Sequence, residues 1–358
     1  MNTYLVLGLM SGTSLDGLDL AYCKFIKNGS SWSYELLDQQ SIDYDPLWRT
    51  RLKHAIDLSA IELLQLHVDY GTWLGEQVSA FQAQVAQPID FIASHGHTVF
   101  HQVDKRLTYQ IGSGQEIANI TGLKVVCDFR TQDVLLGGQG APLVPIGDRE
   151  LFHDYDFCLN LGGIANVSLE WKQQRIAYDI GPANMLLNHL MAKVGKTYDH
   201  DGAFARSGSI DPVLLNTLNQ LAFYKEVYPK SLGFEWFKEQ VIPIFENCAS
   251  SIPDQLHTAV WHISEVISRD ILSFTREAPK TLLCTGGGAK NSFLMETIQE
   301  QLGEKVKVII PPATLIDFKE AIVFALMGVK RMEREINCLK SVTGAQRDSC
   351  GGVIYEVL

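Results

Sequence analysis

The sequence predicts an α/β chain divided into two domains of similar plan. Three observations predict it. The chain runs to 358 residues, a length that favours two domains over one. A glycine-rich turn between two strand-like runs occurs twice, at 8–17 and again at 160–166. The composition, 46% hydrophobic and 20% charged, is that of a globular chain able to build full cores.

The first turn organises the rest. An apolar run from Leu5 enters Gly8-Leu9-Met10-Ser11-Gly12-Thr13-Ser14-Leu15-Asp16-Gly17, and a second run, 18–25, leaves it with alternating apolar residues. This reads as strand, tight turn, strand. Gly8, Gly12 and Gly17 allow close backbone approach, Thr13 and Ser14 add hydroxyls, and Asp16 is placed to hold a metal ion that accompanies a phosphate. The turn is neither a Walker A loop nor a dinucleotide fingerprint, because it lacks the Gly-Lys-Ser/Thr ending and is followed by a strand. An ordinary hairpin without a ligand fits these residues as well. Strand–turn–strand around a phosphate is the arrangement of actin-like, sugar-kinase-type ATPases.

The remaining elements follow in order. A strand is expected over 31–41, then a short helix from Asp45-Pro46 to about 56. Ser59-Ala60-Ile61-Glu62 fits a capping box, and the spacing of Leu63, Leu66, Tyr70, Leu74, Val78, Phe81 and Val85 predicts a long amphipathic helix that ends before Pro88. A buried strand at 91–93 delivers the polar loop Ser94-His95-Gly96-His97-Thr98-Val99-Phe100-His101. Three histidines so close invite a zinc reading, but no companion Cys or Glu-rich ligand motif stands nearby. Hydrogen bonding to a sugar suits these imidazoles and the Thr98 hydroxyl better. Strand 107–111, helix 115–121 and strand 124–127 lead to a long irregular stretch, 128–142, dense in Gly and polar groups. Loops of this length are often functional. Within it Arg130 can hold a carboxylate bidentately or serve an ordinary salt bridge.

The second half repeats the plan. Strands 157–161 and 167–171 flank Asn160-Leu161-Gly162-Gly163-Ile164-Ala165-Asn166, and strand 176–178 delivers Asp179-Ile180-Gly181-Pro182-Ala183-Asn184 into a helix over 185–194. Asp179 thus stands at a strand end beside a helix N-terminus, where it serves either as a general base or as a cap. A polar loop at 198–206 follows, then helices over 211–221, 235–245 and 254–275, with Pro229-Lys230-Ser231-Leu232-Gly233 as a turn. Strand 280–284 opens into Thr285-Gly286-Gly287-Gly288-Ala289-Lys290-Asn291 and helix 292–302. These glycines admit a flat aromatic or a phosphate to the backbone, although a tight turn needs only one of them. Strand 305–310 and helix 317–335, with Glu320 near its start, complete the pattern. The crossover between domains is expected at 130/131, giving domains 1–130 and 131–339, with about 340–358 packing back on the first.

The net charge of −11 argues against nucleic-acid or anionic-membrane binding. No apolar run is long enough to span a bilayer, and no signal peptide is expected. Seven scattered cysteines without a Cys-x-x-Cys pair favour reduced thiols and a cytoplasmic location.

Taken together, Gly8 to Gly17, His95-Gly96-His97-Thr98, Asp128-Phe129-Arg130, Gly137-Gly138-Gln139-Gly140-Ala141-Pro142-Leu143-Val144-Pro145, Asn160 to Asn166, Asp179 with Gly181-Pro182, Gly286-Gly287-Gly288 and Ser341-Val342-Thr343-Gly344-Ala345 resemble the anhydro-N-acetylmuramic acid kinases of bacterial cell-wall recycling. The resemblance spans nearly the whole chain. It implies an actin-like ATPase (ribonuclease H-like) fold of two domains around a cleft. It also implies a reaction in which ATP and water convert 1,6-anhydro-N-acetylmuramate to N-acetylmuramate 6-phosphate and ADP. Asp179 matches the catalytic aspartate, the base for the attacking water. Gly12, Thr13, Ser14, Leu15, Asp16, Gly17, Leu18 and Asp19 match the ATP-binding segment. Gly162, Gly163, Gly286, Gly287, Gly288 and Asn291 are assigned to the same nucleotide. His97, Thr98 and Arg130 fall where the family contacts the sugar and its lactyl carboxylate, with Asn184 and Glu320 assigned to the substrate as well. Mg²⁺, through Asp16, is expected to accompany ATP. A homodimer is also suggested.

The chain departs from the family pattern at four places. His97 replaces a Gln, Ile180 and Ala183 replace the Thr and Gly around Gly181-Pro182, Thr131-Gln132 replaces a basic pair, and Asn188 replaces an Asp. Two alternatives therefore stand beside the kinase: a nucleotide-switched sugar-binding protein of the same fold, and a kinase of a related anhydrosugar.

Overall fold

The computed structural model describes residues 2–12, 14–277 and 279–357. Thr13, one of the expected nucleotide residues, lies outside them. Two compact units form: 1–152 with 318–358, and 153–317.

The first unit is built on a six-stranded sheet in the order β13-β7-β4-β1-β2-β3. Its strands are β1 (Thr3–Ser11), β2 (Gly17–Asn28), β3 (Ser31–Asp43), β4 (Phe91–Ser94), β7 (Lys124–Cys127) and β13 (Val353–Tyr355). β1, β2 and β3 form an antiparallel meander, and β4 and β7 continue parallel to β1. Side chains alternate between faces along β1. Leu7 and Leu9 join the core under helix Ala60–Gln82, with Leu63, Leu66, Tyr70, Leu74 and Val78. Gly8, facing the other way, lies against helix Ala313–Met332: a Cβ there would fall 2.1 Å from the Ala321 carbonyl oxygen. The helix backbone therefore packs directly on the central strand. The capping box expected at Ser59 and Glu62 is formed.

Several elements differ from expectation: short helices form at Thr131–Leu135 and Ala203–Ser207 where loops are expected, and two further differences matter more for the site. The histidine loop becomes β5 (His97–Gln102), paired antiparallel with β6 (Leu107–Ile111) in a separate two-stranded sheet. The pairing bulges between Thr98 and Phe100, and the polar residues mask the strand's alternation. The compact units change over at 152/153 rather than 130/131. The stretch 131–152 stays with the first unit because buried Asp133 accepts from Thr343 Oγ1 at 2.7 Å, and Lys319 pairs with Asp148 at 2.7 Å. The C-terminal β13 pairs with β7.

The second unit holds a five-stranded sheet in the order β10-β9-β8-β11-β12, made of β8 (Phe157–Leu161), β9 (Ile164–Trp171), β10 (Gln174–Pro182), β11 (Lys280–Thr285) and β12 (Val306–Ile309). Here too the first three strands form an antiparallel meander and the last two run parallel to the first. Helix Ile252–Phe274 buries one continuous face, including Leu256, Val260, Ile263, Ile267 and Ile271, in the core. By chain order each unit reads third, second, first, fourth, fifth strand. This ribonuclease H-like order, present twice, is the actin-like ATPase fold.

Gly8→Ala forces a methyl group into the Ala321 carbonyl. It should cost about 1–3 kcal/mol of stability, the usual penalty of overpacking a core, read as a lower urea midpoint; an unchanged midpoint would mean the contact is not tight.

Candidate active site

In the second unit, Asp179 lies on β10 at a β-bulge. Asp179 pairs with Asn166 and Gly181 with Ala165, so Ile180 is the extra residue. Bulges re-aim side chains and are frequent beside active sites. Gly181 is required because the Tyr224 ring would stand 2.9 Å from a Cβ there. The Asp179 carboxylate is half-buried. Its Oδ2 accepts from the Leu232 amide at 2.9 Å and from Ser231 Oγ at 3.1 Å. Oδ1 takes part in none of the described hydrogen bonds. Burial raises its pKa above the ordinary carboxylate value, against the opposing pull of the two donors and Lys230. Asp179 is therefore anchored through one oxygen, open at the other and more basic than a surface Asp.

Nearby in the same unit, Gly162 and Gly163 present their carbonyls to the N-terminus of helix Asn184–Ala192: Asn184 N donates to Gly162 O at 3.1 Å and Ala183 N to Gly163 O at 2.8 Å. Asn184 Nδ2 donates to Leu161 O at 2.9 Å, and Gly287 and Gly288 lie close to the same side chain. Gly286 has φ +78° and no room for a side chain, since Asn160 Oδ1 would lie 2.5 Å from a Cβ. Asn184 thus ties the two glycine turns together, and the turns keep an open, side-chain-free backbone. Asn291 caps helix Ser292–Leu302, its Oδ1 accepting from Leu294 N at 3.0 Å, so that oxygen is already occupied.

In the first unit, Gly12 and, beyond Thr13, Ser14 to Asp16 lie between β1 and β2, and Gly17 to Asp19 open β2. Leu15 adopts φ +61° and its amide donates weakly to Gly12 O at 3.4 Å. The backbone of Gly17 lies against β3, where a Cβ would meet Ile42 O at 2.3 Å. Ser14 and Asp16 are exposed, and Leu18 is core. Asp19 accepts from Ser41 Oγ at 2.5 Å.

Arg130 is held by a partner that sequence reasoning missed. His95 Nδ1 lies 2.9 Å from the Gly96 carbonyl, which can only accept, so Nδ1 carries the proton. Nε2 then accepts from Arg130 Nε at 3.0 Å and Nη2 at 2.8 Å. Arg130 Nη1 donates to Gly140 O at 2.6 Å. A guanidinium has five N–H donors; the described hydrogen bonds use three of them. Burial, and next the Arg130 charge, hold His95 well below its usual pKa. Burial lowers Arg130 to about 10, with Glu320 the first opposing charge. Desolvation by the surrounding protein raises the pKa of Glu320 and Asp19 adds to this, while Arg130 and Lys319 oppose it. His97 Nδ1 lies 2.9 Å from Ser11 Oγ, which continues to Tyr44 and Tyr70; burial lowers His97 to about 4. Thr98 Oγ1 accepts from Gln110 Nε2 at 3.3 Å. Both histidines are thus neutral hydrogen-bonding groups, and among the described residues no cluster of three His, Cys, Asp or Glu is placed to hold a metal ion. The first unit therefore gathers His95, His97, Arg130 and Glu320, and the second gathers Asp179 with the glycine turns.

The family model for anhydro-N-acetylmuramic acid kinase matches residues 4–357. The chain belongs to the anhydro-N-acetylmuramic acid kinase family. It is 35% identical over 372 residues to the anhydro-N-acetylmuramic acid kinase of Vibrio cholerae serotype O1, covering 98% of both chains. It is 33% identical over 365 residues to that of Francisella tularensis subsp. novicida, covering 95% of both. Among solved structures, the activator of the 2-hydroxyisocaproyl-CoA dehydratase from Clostridium difficile with bound ADPNP aligns over 92% of this chain and 97% of its own, at 11% identity and a TM-score of 0.45. As a family member the chain is a kinase, a phosphotransferase that uses ATP and has an alcohol group as acceptor.

The hydrogen bonds of His95 make a spectroscopic prediction. Nitrogen-15 NMR should find it as the Nδ1–H tautomer, with no titration between about pH 5 and 8 where a free histidine changes charge. A protonated His95 in that range would break the assignment of Arg130 as its donor.

Proposed function

We propose that this kinase opens the 1,6-anhydro bridge of 1,6-anhydro-N-acetylmuramic acid with water and phosphorylates O6 from ATP, giving N-acetylmuramate 6-phosphate and ADP in the reuse of peptidoglycan amino sugars. The observation that carries this reading is Asp179, with one carboxylate oxygen anchored, the other open and a raised pKa. In the reaction a water oxygen bonds to the anomeric carbon as the bond from that carbon to O6 breaks. Asp179 Oδ1 takes the proton from that water. The electron pair left on O6 attacks the γ-phosphorus, and ADP departs. A carboxylate whose pKa is raised by burial is a stronger base than a surface Asp, which suits this step.

The other residues have supporting roles in this reading. The backbone of the Gly12–Asp19 segment, with the turns at Gly162-Gly163 and Gly286-Gly288, approaches the nucleotide, where side chains would intrude. Arg130 pairs with the lactyl carboxylate, and His97, Thr98, Asn184 and Glu320 serve the sugar. Asp16, an exposed carboxylate on the phosphate turn, is a hard oxygen donor of the kind Mg²⁺ accepts alongside phosphate oxygens. When bound, Mg²⁺ neutralises charge that develops on the transferring phosphoryl group. We place the protein in the cytoplasm, a setting consistent with its seven scattered cysteines and the absence of a Cys-x-x-Cys pair in the sequence; among the described residues no helix is long and apolar enough to cross a membrane.

Asp179→Asn tests the reading. Removing a general base costs about 10²–10⁴ in rate, so turnover should fall by that factor while ATP binding, read by calorimetry, persists. Wild-type turnover in this variant would remove Asp179 from the mechanism. The raised pKa means that folding penalises the ionised carboxyl, a penalty present at neutral pH and relieved as pH falls through the folded-state value.

A further inference from the structure

The turn at 229–233 contributes no group to the reaction as written, yet it supplies every described partner of the Asp179 carboxylate. Ser231 Oγ and the Leu232 amide both donate to Oδ2. The Asp179 amide in turn donates to Lys230 O at 3.2 Å. The turn and the bulged strand are thus laced together at both backbone and side chain. Lys230 fixes the turn from behind. Its side chain is 5% exposed, with Nζ 3.6 Å from Asp270 Oδ2 on helix Ile252–Phe274. The ammonium also lies over the rings of Phe223, at 4.9 Å, and Tyr178, at 6.0 Å. Tyr178 OH donates to Asp270 Oδ1 at 3.0 Å, so Asp270 is itself oriented from β10. The neighbouring Arg269 is turned away, donating to Tyr224 O at 3.2 Å. Lys230 is thereby paired with Asp270 and held at the back of the turn.

We propose that Ser231 and Leu232, on a turn fixed from behind by Lys230, form the positioning element of Asp179: the Ser231 hydroxyl and the Leu232 amide fix which oxygen faces the water. This rests on the reading of Asp179 as the base. Two donors on one oxygen of a carboxylate lock its rotation and direct the remaining lone pairs of the other. Without the Ser231 hydroxyl, a single amide bond leaves the carboxylate free to swing. Hydrogen bonds to the charged form favour ionisation. Buried Lys230 would be a costly charge without Asp270 and the two aromatic faces; with them it anchors the turn that carries Ser231.

The test measures kcat and both KM values with 1,6-anhydro-N-acetylmuramic acid and Mg-ATP for Ser231→Ala, Ser231→Thr and Asp179→Asn. Ser231→Ala should lower kcat by about ten- to a hundredfold, the scale of misorienting a reacting group, with little change in either KM. Ser231→Thr, which keeps the hydroxyl, should recover most of the loss. Wild-type kcat in Ser231→Ala, or equal loss in the Ala and Thr variants, would overturn the proposal. Ser231 is exposed, so its two variants decide the matter without disturbing the core. An inactive Asp179→Asn beside a normal Ser231→Ala defeats the positioning element alone, whereas an active Asp179→Asn defeats the base itself.

Discussion

Backbone amides and carbonyls that lose water must find partners within the protein, and in both units this requirement decides where polar chemistry can appear. β1 is paired on one edge with β2 and on the other with β4, and β8 is paired with β9 and β11. These central strands are thus paired on both edges. Their backbone becomes available where they end: at Gly12, at Gly162-Gly163 and at Gly286-Gly288. The direct packing of helix Ala313–Met332 on Gly8 makes the same point from the side. A strand covered that closely can present its chemistry only at its end.

Much of this was legible in the sequence, because it rests on local signals. The Ser59–Glu62 capping box, the apolar spacing of the following helix and the doubled strand–glycine–strand units each read within about 20 residues, and all are formed. What was hidden lies across longer separations. Ser231 reaches Asp179 across 52 residues, and His95 reaches Arg130 across 35. Neither pairing leaves a local trace: a serine in a Pro-Lys-Ser turn looks like turn chemistry, and a histidine among three looks like a metal ligand. The β5 strand was obscured for a related reason. His97, Thr98 and His101 interrupt the alternation that would mark it, and the bulge after Thr98 shifts its register.

The acidic composition is consistent with anionic ligands once charge is considered locally. Arg130 stands near Glu320 in a chain of net charge −11. His95 accepts from the guanidinium without neutralising it, which an acidic partner in its place would do. Neutral acceptors thus orient the cation without cancelling its charge. At Asp179 the polarity is reversed: two hydrogen-bond donors support a negative charge. The departures at Ile180 and Ala183 leave that support intact. Ile180 is the extra residue of the bulge and is buried, and Ala183 donates its backbone amide to Gly163.

The most direct measurement of the central claim is ADP formation from Mg-ATP with and without 1,6-anhydro-N-acetylmuramic acid, with the sugar product weighed by mass spectrometry. The account predicts strong stimulation by the sugar and a product that has gained one water and one phosphoryl group, with ADP and product formed in equal amounts. ADP release that ignores the sugar, or a product that gains the phosphoryl group without the water, would contradict it.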